Sequence, residues 1–182
     1  MKKPSNFTSL MDTVMASGAA NVGIIEVSAI PFRREFRVAC EQNACGKYGR
    51  CWMCPPDVGD IDKMIAQAKK YRYALVFQSI GQLEDSFDIE GMEAAAKEHN
   101  ALMQRLAVQL APLLGSFLKL GAGGCQVCPH CTRPDNQPCR HPDMAMASLE
   151  AYGIAVSELA ELSGMKYING SNTVTYFGGF LF

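Results

Sequence analysis

Hydrophobic residues recur with helical spacing near the start of the chain. The pattern predicts an amphipathic helix that begins after Ser5 or Asn6, either of which can serve as its N-cap, and stops at Gly18. The apolar positions of this helix follow the i, i+3, i+4, i+7 pattern and are Phe7, Leu10, Met11, Val14 and Met15. One apolar stripe of this width indicates a helix that packs on the rest of the domain.

Three further segments have the same helical periodicity. They extend from Ile61 to Lys70, from Ile89 to Leu110, and from Val156 to Leu162. Asp57 or Asp60 can cap the first of them, and Pro112 is expected to stop the second. His99 lies on the apolar face of the second helix, so we expect it to pack in the core.

Between the helices, short runs rich in apolar and β-branched residues predict strands. These runs are Gly23 to Ile30, Glu35 to Cys40, Tyr73 to Ile80, Ser116 to Leu120, and a hairpin formed by Lys166 to Ile168 with Thr173 to Phe177. Strands that alternate with helices predict an α/β (or α+β) fold. We therefore expect a single domain over residues 1–182, with a mixed sheet, flanking helices and two cysteine-rich metal or cluster loops.

The amino-acid composition argues against some classes of protein function. Lys and Arg total 17 against 18 Asp and Glu, and charged residues make up 19% of the chain, below the ~25% of an average protein. This balance argues against a nucleic-acid-binding face. The most apolar stretch, residues 102–124, contains too many polar residues to span a membrane, and the first 20 residues lack the apolar core of a signal peptide. We expect a cytoplasmic protein with reduced thiols.

The strongest chemical signal is the arrangement of the eight cysteines, which divide evenly between two windows of 15 residues. The first quartet has the spacing C-x4-C-x5-C-x2-C, and the second has C-x2-C-x2-C-x7-C. Their members are Cys40, Cys45, Cys51 and Cys54, followed by Cys125, Cys128, Cys131 and Cys139. Thiolates select zinc or iron-sulfur clusters, so each quartet is predicted to hold one metal centre.

The spacing of the second quartet favours a cluster over zinc. Tetrahedral zinc most often uses two separated C-x2-C knuckles, whereas neither quartet has that form. The unbroken run Cys125, Cys128, Cys131 is typical of a loop that sends successive sulfurs to different irons of a cubane. The seven-residue gap before Cys139 departs from the bacterial ferredoxin run. We predict two [4Fe-4S] clusters, with two zinc ions as the alternative.

Basic residues flank both quartets and could offset the negative charge of a thiolate-bound metal. They are Arg33, Arg34, Arg37, Lys47 and Arg50 beside the first quartet, and His130, Arg133, Arg140 and His141 beside the second. Backbone N–H groups of the glycine-rich segment 121–124 could also approach sulfur. Trp52, the only tryptophan, could shield a cluster from water or cap the hydrophobic core.

The residues around both quartets resemble a known family. The matching features are C-x4-C, Y-G and C-P-P in residues 40–56, then G-C-x2-C-x2-C, P-C-R-x-P and S-L-E-A-Y-G-I in residues 124–154. They resemble the cysteine-rich "predicted metal-binding" proteins of bacteria and archaea, domain of unknown function 2284. The resemblance implies metal binding through these cysteines. It implies no particular reaction, because the family has no settled activity.

Three functions are consistent with these features. The first is an iron-sulfur protein that serves electron transfer with a redox partner protein. The second is a zinc-stabilised binding module, and the third is a redox enzyme or sensor. Whether the chain is an enzyme stays open, and no catalytic residue is assigned, because no nucleophile or metalloprotease motif is present. If the strands 35–40 and 116–120 run parallel, both cysteine loops should leave the same edge of the sheet.

Overall fold

The computed structural model describes residues 7–182 of the chain, and the N-cap predicted at Ser5 or Asn6 lies outside this part. Five α-helices occur in the described residues. They are α1 (Phe7–Ala16), α2 (Glu35–Glu41), α3 (Ile61–Ala68), α4 (Ile89–Leu114) and α5 (Val156–Leu162). Asp60 caps α3, because its carboxylate accepts hydrogen bonds from the backbone N–H groups of Asp62 and Lys63. None of these helices has the length and apolar character of a membrane span.

Five strands form one mixed sheet, which confirms the predicted α/β class. The strands are β1 (Asn21–Glu26), β2 (Tyr73–Gln82), β3 (Leu118–Gly121), β4 (Ala147–Ser148) and β5 (Thr173–Leu181). Their order across the sheet is β1-β2-β5-β3-β4. Only β3 and β4 are parallel, while the other neighbours run antiparallel. Two 3₁₀ turns, Val27–Ala29 and Glu150–Tyr152, connect the elements.

Helices cover the sheet on both faces. On one face, α1 and α4 pack on Leu75 and Phe77 of β2. On the other face, α3, α5 and the turn Glu150–Tyr152 pack against Val76 and Phe177. Because successive side chains of a strand point to opposite faces, β2 is buried on both sides, and its first six residues have little contact with solvent.

Two glycines let the long helix α4 approach the sheet closely. A Cβ atom at Gly178 of β5 would lie 2.8 Å from the ring of Phe77 and against the sulfur of Met103 on α4. A Cβ at Gly81 of β2 would lie 2.5 Å from the Cβ of Ala95. His99, one helical turn from Ala95, is fully buried in this contact, as predicted, and stacks on Phe77 with ring centroids 5.5 Å apart.

Three predicted elements are wrong. The segment Glu35 to Cys40 is helical instead of extended, since it pairs with no strand and leaves Val38 exposed. Residues 166–168 do not form a hairpin strand, because β5 pairs with β2 and β3 instead. Pro112 lies inside the last turn of α4, which ends at Leu114 and is followed by Gly115, where φ is 70°.

Candidate metal centre

The first cysteine loop runs from the last turn of α2, which contains Cys40, to the N-cap of α3. Tight turns fold it, with Gly46 and Gly49 at φ values of 68° and 64°, which favour glycine. The N–H of Gly49 donates to the carbonyl of Pro55 at 2.8 Å and closes the loop on itself. The sequence therefore builds a compact loop here with little hydrophobic material of its own.

The second cysteine loop leaves β3 after Gly121 and returns to the sheet at β4. The hydroxyl of Thr132 donates to the Pro138 carbonyl at 2.9 Å, and Nη1 of Arg140 donates to the His130 carbonyl at 3.0 Å. These bonds hold the segment that carries Cys131 and Cys139 as one folded unit.

The two loops contact each other directly. The indole Nε1 of Trp52 donates to the carbonyl of Gln137 at 2.9 Å. The guanidinium of Arg133 lies 5.0 Å from the centre of the Trp52 ring, and its Nε is 2.7 Å from Oδ2 of Asp57. Trp52 therefore covers the junction between the loops and lies outside both hydrophobic clusters.

Cys51 lies among the cysteines of the second loop. It is the only buried member of the eight, and it lines a small cavity of about 20 Å³ together with all four cysteines of that loop, Cys125, Cys128, Cys131 and Cys139. Hydrogen bonds from the thiol of Cys54, the backbone N–H groups of Met53 and Cys125, and the thiol of Cys131 lower the pKa of Cys51 to about 6, although burial opposes them.

Cys54 faces the other members of the first loop. The hydrogen bond that it donates to Cys51, burial, and the nearby thiols of Cys51, Cys45 and Cys40 raise the pKa of Cys54. Burial also raises the pKa of Cys40, which the guanidinium of Arg37 lowers in part. A Cβ atom at Gly124 of the second loop would lie only 3.4 Å from the Cys54 sulfur, so the glycine-rich segment passes close to this thiol.

All eight cysteines are free thiols, and each has another cysteine as a neighbour. Within residues 7–182, however, no three His, Cys, Asp or Glu side chains lie at the mutual spacing of a formed metal site. The thiols are thus gathered at one junction without closing a ligand cage.

The basic residues predicted near the quartets divide into two groups. Arg33 and Arg34 form ion pairs with Glu158 and Asp62, away from the thiols. Arg37 is different, because only its Nη1 has a partner, the Gly59 carbonyl at 2.7 Å. Among the described residues nothing accepts a hydrogen bond from its buried Nε and Nη2 atoms. These two buried N–H donors lie beside Cys40, where they could offset the negative charge of a metal that is bound by thiolates.

His141 and Arg140 line the small cavity with the cysteines, while His130 is exposed. Lys47 of the first loop lies against the second, because its Cγ would be 3.3 Å from a Cβ at Gly124. These positions put positive or ionisable groups on both sides of the loop junction.

Glu150 is a neighbour of the thiols that the sequence patterns did not single out. Burial raises the pKa of its carboxyl group, and its charge raises the pKa of the Cys40 thiol. The residue belongs to the S-L-E-A-Y-G-I stretch, which the sequence analysis used only for the family resemblance. Nothing in its spacing from Cys40 indicated proximity, because the turn Glu150–Tyr152 meets α2 only through the tertiary fold.

Comparison with known proteins gives one match. A family model described as "Predicted metal-binding protein (DUF2284)" matches residues 23–182, which is most of the chain and includes all eight cysteines. No curated protein and no solved structure matches.

Proposed function

We propose that this chain, which belongs to the DUF2284 family of predicted metal-binding proteins, is an iron-sulfur protein that exchanges electrons with a redox partner protein. Its eight cysteines would hold two [4Fe-4S] clusters. Metal binding is the family's predicted property, and the cluster type and the redox role are our extension of it.

The observation that carries the proposal is the meeting of the two cysteine loops. Residues that are far apart in sequence bring eight unoxidised thiols to one junction, and Trp52 covers it. A fold that needed cysteines only for packing would bury them in its hydrophobic clusters. Here Cys51 alone is buried, and none of the eight belongs to either cluster.

The surroundings of the thiols support a negatively charged thiolate centre. Backbone N–H groups of Met53 and Cys125 lower the pKa of Cys51, and those of Val127 and Met146 partly offset the rise that burial causes in the pKa of Cys125. N–H donors of this kind stabilise thiolate sulfur and tune the potential of a bound cluster. The unpaired donors of Arg37 beside Cys40 add to this compensation.

The exposure of the cysteines supports exchange of electrons with another protein. Cys45 is exposed, and the six cysteines other than Cys45 and Cys51 are half-buried. A bound cluster would supply one-electron chemistry close to the protein surface. The chain's own residues would hold it, limit its contact with water through Trp52, and leave one side open to a partner.

A zinc-binding module is the second candidate, and the size of the cavity favours it. About 20 Å³ is enough for one water-sized atom, so a single ion would require less widening of the loops than a cubane. In that case the metals would only stabilise the loops.

Metal and acid-labile sulfide analysis of protein purified without oxygen separates the two candidates. Iron with equimolar sulfide is the expected result, and zinc without sulfide would replace our proposal by the second candidate. Emission from Trp52 gives an independent reading, because an absorbing cluster beside the indole should quench it, whereas d¹⁰ zinc should not. Protein that contains neither metal would refute both functions.

A further inference from the structure

We propose that Cys51 is a ligand of the centre in the second loop, so that the eight cysteines divide into three and five instead of four and four. This inference rests on the proposed metal binding, but it holds for either metal. It leaves Cys40, Cys45 and Cys54 as the only cysteines of the first centre.

The contacts of Cys51 carry the first step. Cys51 lines the same cavity as the four cysteines of the second loop. Among the cysteines of the first loop, no other lines that cavity.

The contacts of the residues that follow Cys51 are the second argument for this division. The next residue, Trp52, is held to the second loop by the bond from its Nε1 to Gln137, and its ring stacks with Arg133. Arg133 in turn is paired with Asp57, which follows the cysteine motif. Two side chains that follow Cys51, Trp52 and Asp57, are thus held by residues 133–137, and these contacts keep Cys51 beside the second loop.

Cys54 marks the boundary between the two groups. The turn that contains it is closed by its own N–H, which donates to the Cys51 carbonyl at 2.9 Å. Cys51 raises the pKa of the Cys54 thiol most strongly, and Cys45 and Cys40 also lie near enough to raise it. The two centres are therefore adjacent, with Cys51 and Cys54 between them.

This division has a chemical consequence. A tetrahedral metal or a cubane takes four protein ligands when it is closed, and three cysteines leave one position free. The first centre would then be able to bind a ligand that is not cysteine, whereas the second has more thiols than it needs. A closed cluster can carry electrons without binding any further ligand, so an open first centre would add ligand binding to the proposed function.

Pulsed alkylation of the metal-loaded wild-type chain during graded chelation tests the division. Iodoacetamide labelling of each cysteine, read by peptide mass spectrometry, is divided by its rate in fully metal-free protein to correct for burial. We expect Cys51 to lose protection together with Cys125, Cys128, Cys131 and Cys139. Release of Cys51 with Cys40, Cys45 and Cys54, or of all eight in one step, would overturn the division.

A matched pair of variants gives a second reading, because Cys51→Ser and Cys54→Ser change the two ends of the same turn. We expect Cys54→Ser to lower the protection of Cys40 and Cys45 at least about tenfold, whereas Cys51→Ser should leave their protection unchanged, because Cys51 belongs to the other centre. A loss of protection at Cys40 and Cys45 in Cys51→Ser overturns the proposal. If either variant fails to fold, the wild-type release order still decides. A wild-type chain that carries no metal refutes the proposed function itself, a result distinct from metal-loaded protein with the wrong grouping.

Discussion

Arg133 and Asp57 form an ion pair with 2.7 Å between Nε and Oδ2, and it joins the second cysteine loop to the segment that leads into α3. The two side chains are only 26% and 13% exposed. Because Arg133 also stacks on Trp52, the pair fixes three parts of the loop junction at once. It is the structural contact on which the closeness of the two loops most clearly depends.

A double-mutant cycle of Arg133→Ala and Asp57→Ala should give a coupling energy of about 1–2 kcal/mol, because ion pairs shielded from water interact more strongly. Arg34 and Asp62 provide the matched control. They are also 2.7 Å apart, but 72% and 55% exposed, and their coupling should stay below about 0.5 kcal/mol. Urea denaturation of the wild type, the four single variants and the two double variants measures both couplings, and equal coupling would contradict the role of Arg133 in joining the loops.

Helices with a regular spacing of apolar residues or a capping side chain could be predicted from the sequence. Val156–Leu162 has the predicted limits, and Asp60 is one of the two caps expected for α3. Glu35–Glu41 could not be predicted, because Phe36, Val38 and Cys40 alternate as in a strand. The place of β5 between β2 and β3 depends on pairing with distant segments, which no local pattern records.

The sequence predicts which residues form the candidate site, but it does not predict how the fold brings the two cysteine loops together. Spacing identifies the cysteines and the two loops. It also predicts that the loops meet at one sheet edge through parallel strands, a route that fails because residues 35–40 are helical. The loops meet instead through Trp52, Gln137 and Arg133, and such long-range contacts between side chains leave no periodic signal in sequence.

Removal of metal should make the two cysteine loops sensitive to trypsin while the rest of the fold stays intact, because the sheet and its helices have their own hydrophobic clusters. Cleavage is expected after Lys47 and Arg50 in the first loop and after Arg140 in the second. Arg105 on α4 serves as the internal control and should stay uncut. Mass spectrometry of timed digests, with and without chelator, measures this. Cleavage at Arg105 at the same rate would show that the core unfolds with the loops.

Gly178→Ala should lower the free energy of unfolding by about 1–3 kcal/mol, because its new methyl group would push against Phe77 and Met103 where α4 meets the sheet. The neighbouring Gly179→Ala is the control. Its methyl group would point to the other face, 3.5 Å from the Leu75 carbonyl, which is an ordinary contact, so we expect a change within about 1 kcal/mol. Chemical denaturation compares the two, and similar losses would show that α4 packs less closely than described.

Acid should destabilise the fold through His99. Burial lowers the pKa of His99 to about 4, although the backbone of Phe177 favours the charged form. In the unfolded chain the ring takes up a proton near pH 6.5, so stability is fully present above that pH and falls as the pH drops towards 4, by about 3 kcal/mol in all.

The variant His99→Gln should lack this part of the pH dependence, and His130→Gln, which changes an exposed histidine, should keep it. Urea denaturation at pH 7 and pH 4.5 gives the comparison. A steeper loss in His99→Gln than in the wild type would show that the native state binds the proton more tightly than the unfolded chain.

The contact between Trp52 and Gln137 can form only late in the synthesis of the chain. The ribosome completes the first loop about 80 residues before it reaches Gln137, a delay of roughly 4–16 s at ~5–20 residues per second. Throughout that interval the nascent chain carries four thiols that have no second loop packed against them. The thiols of the first loop are therefore exposed to oxidants and free metal ions while the chain is incomplete. They become protected only after residues 125–139 have been synthesised.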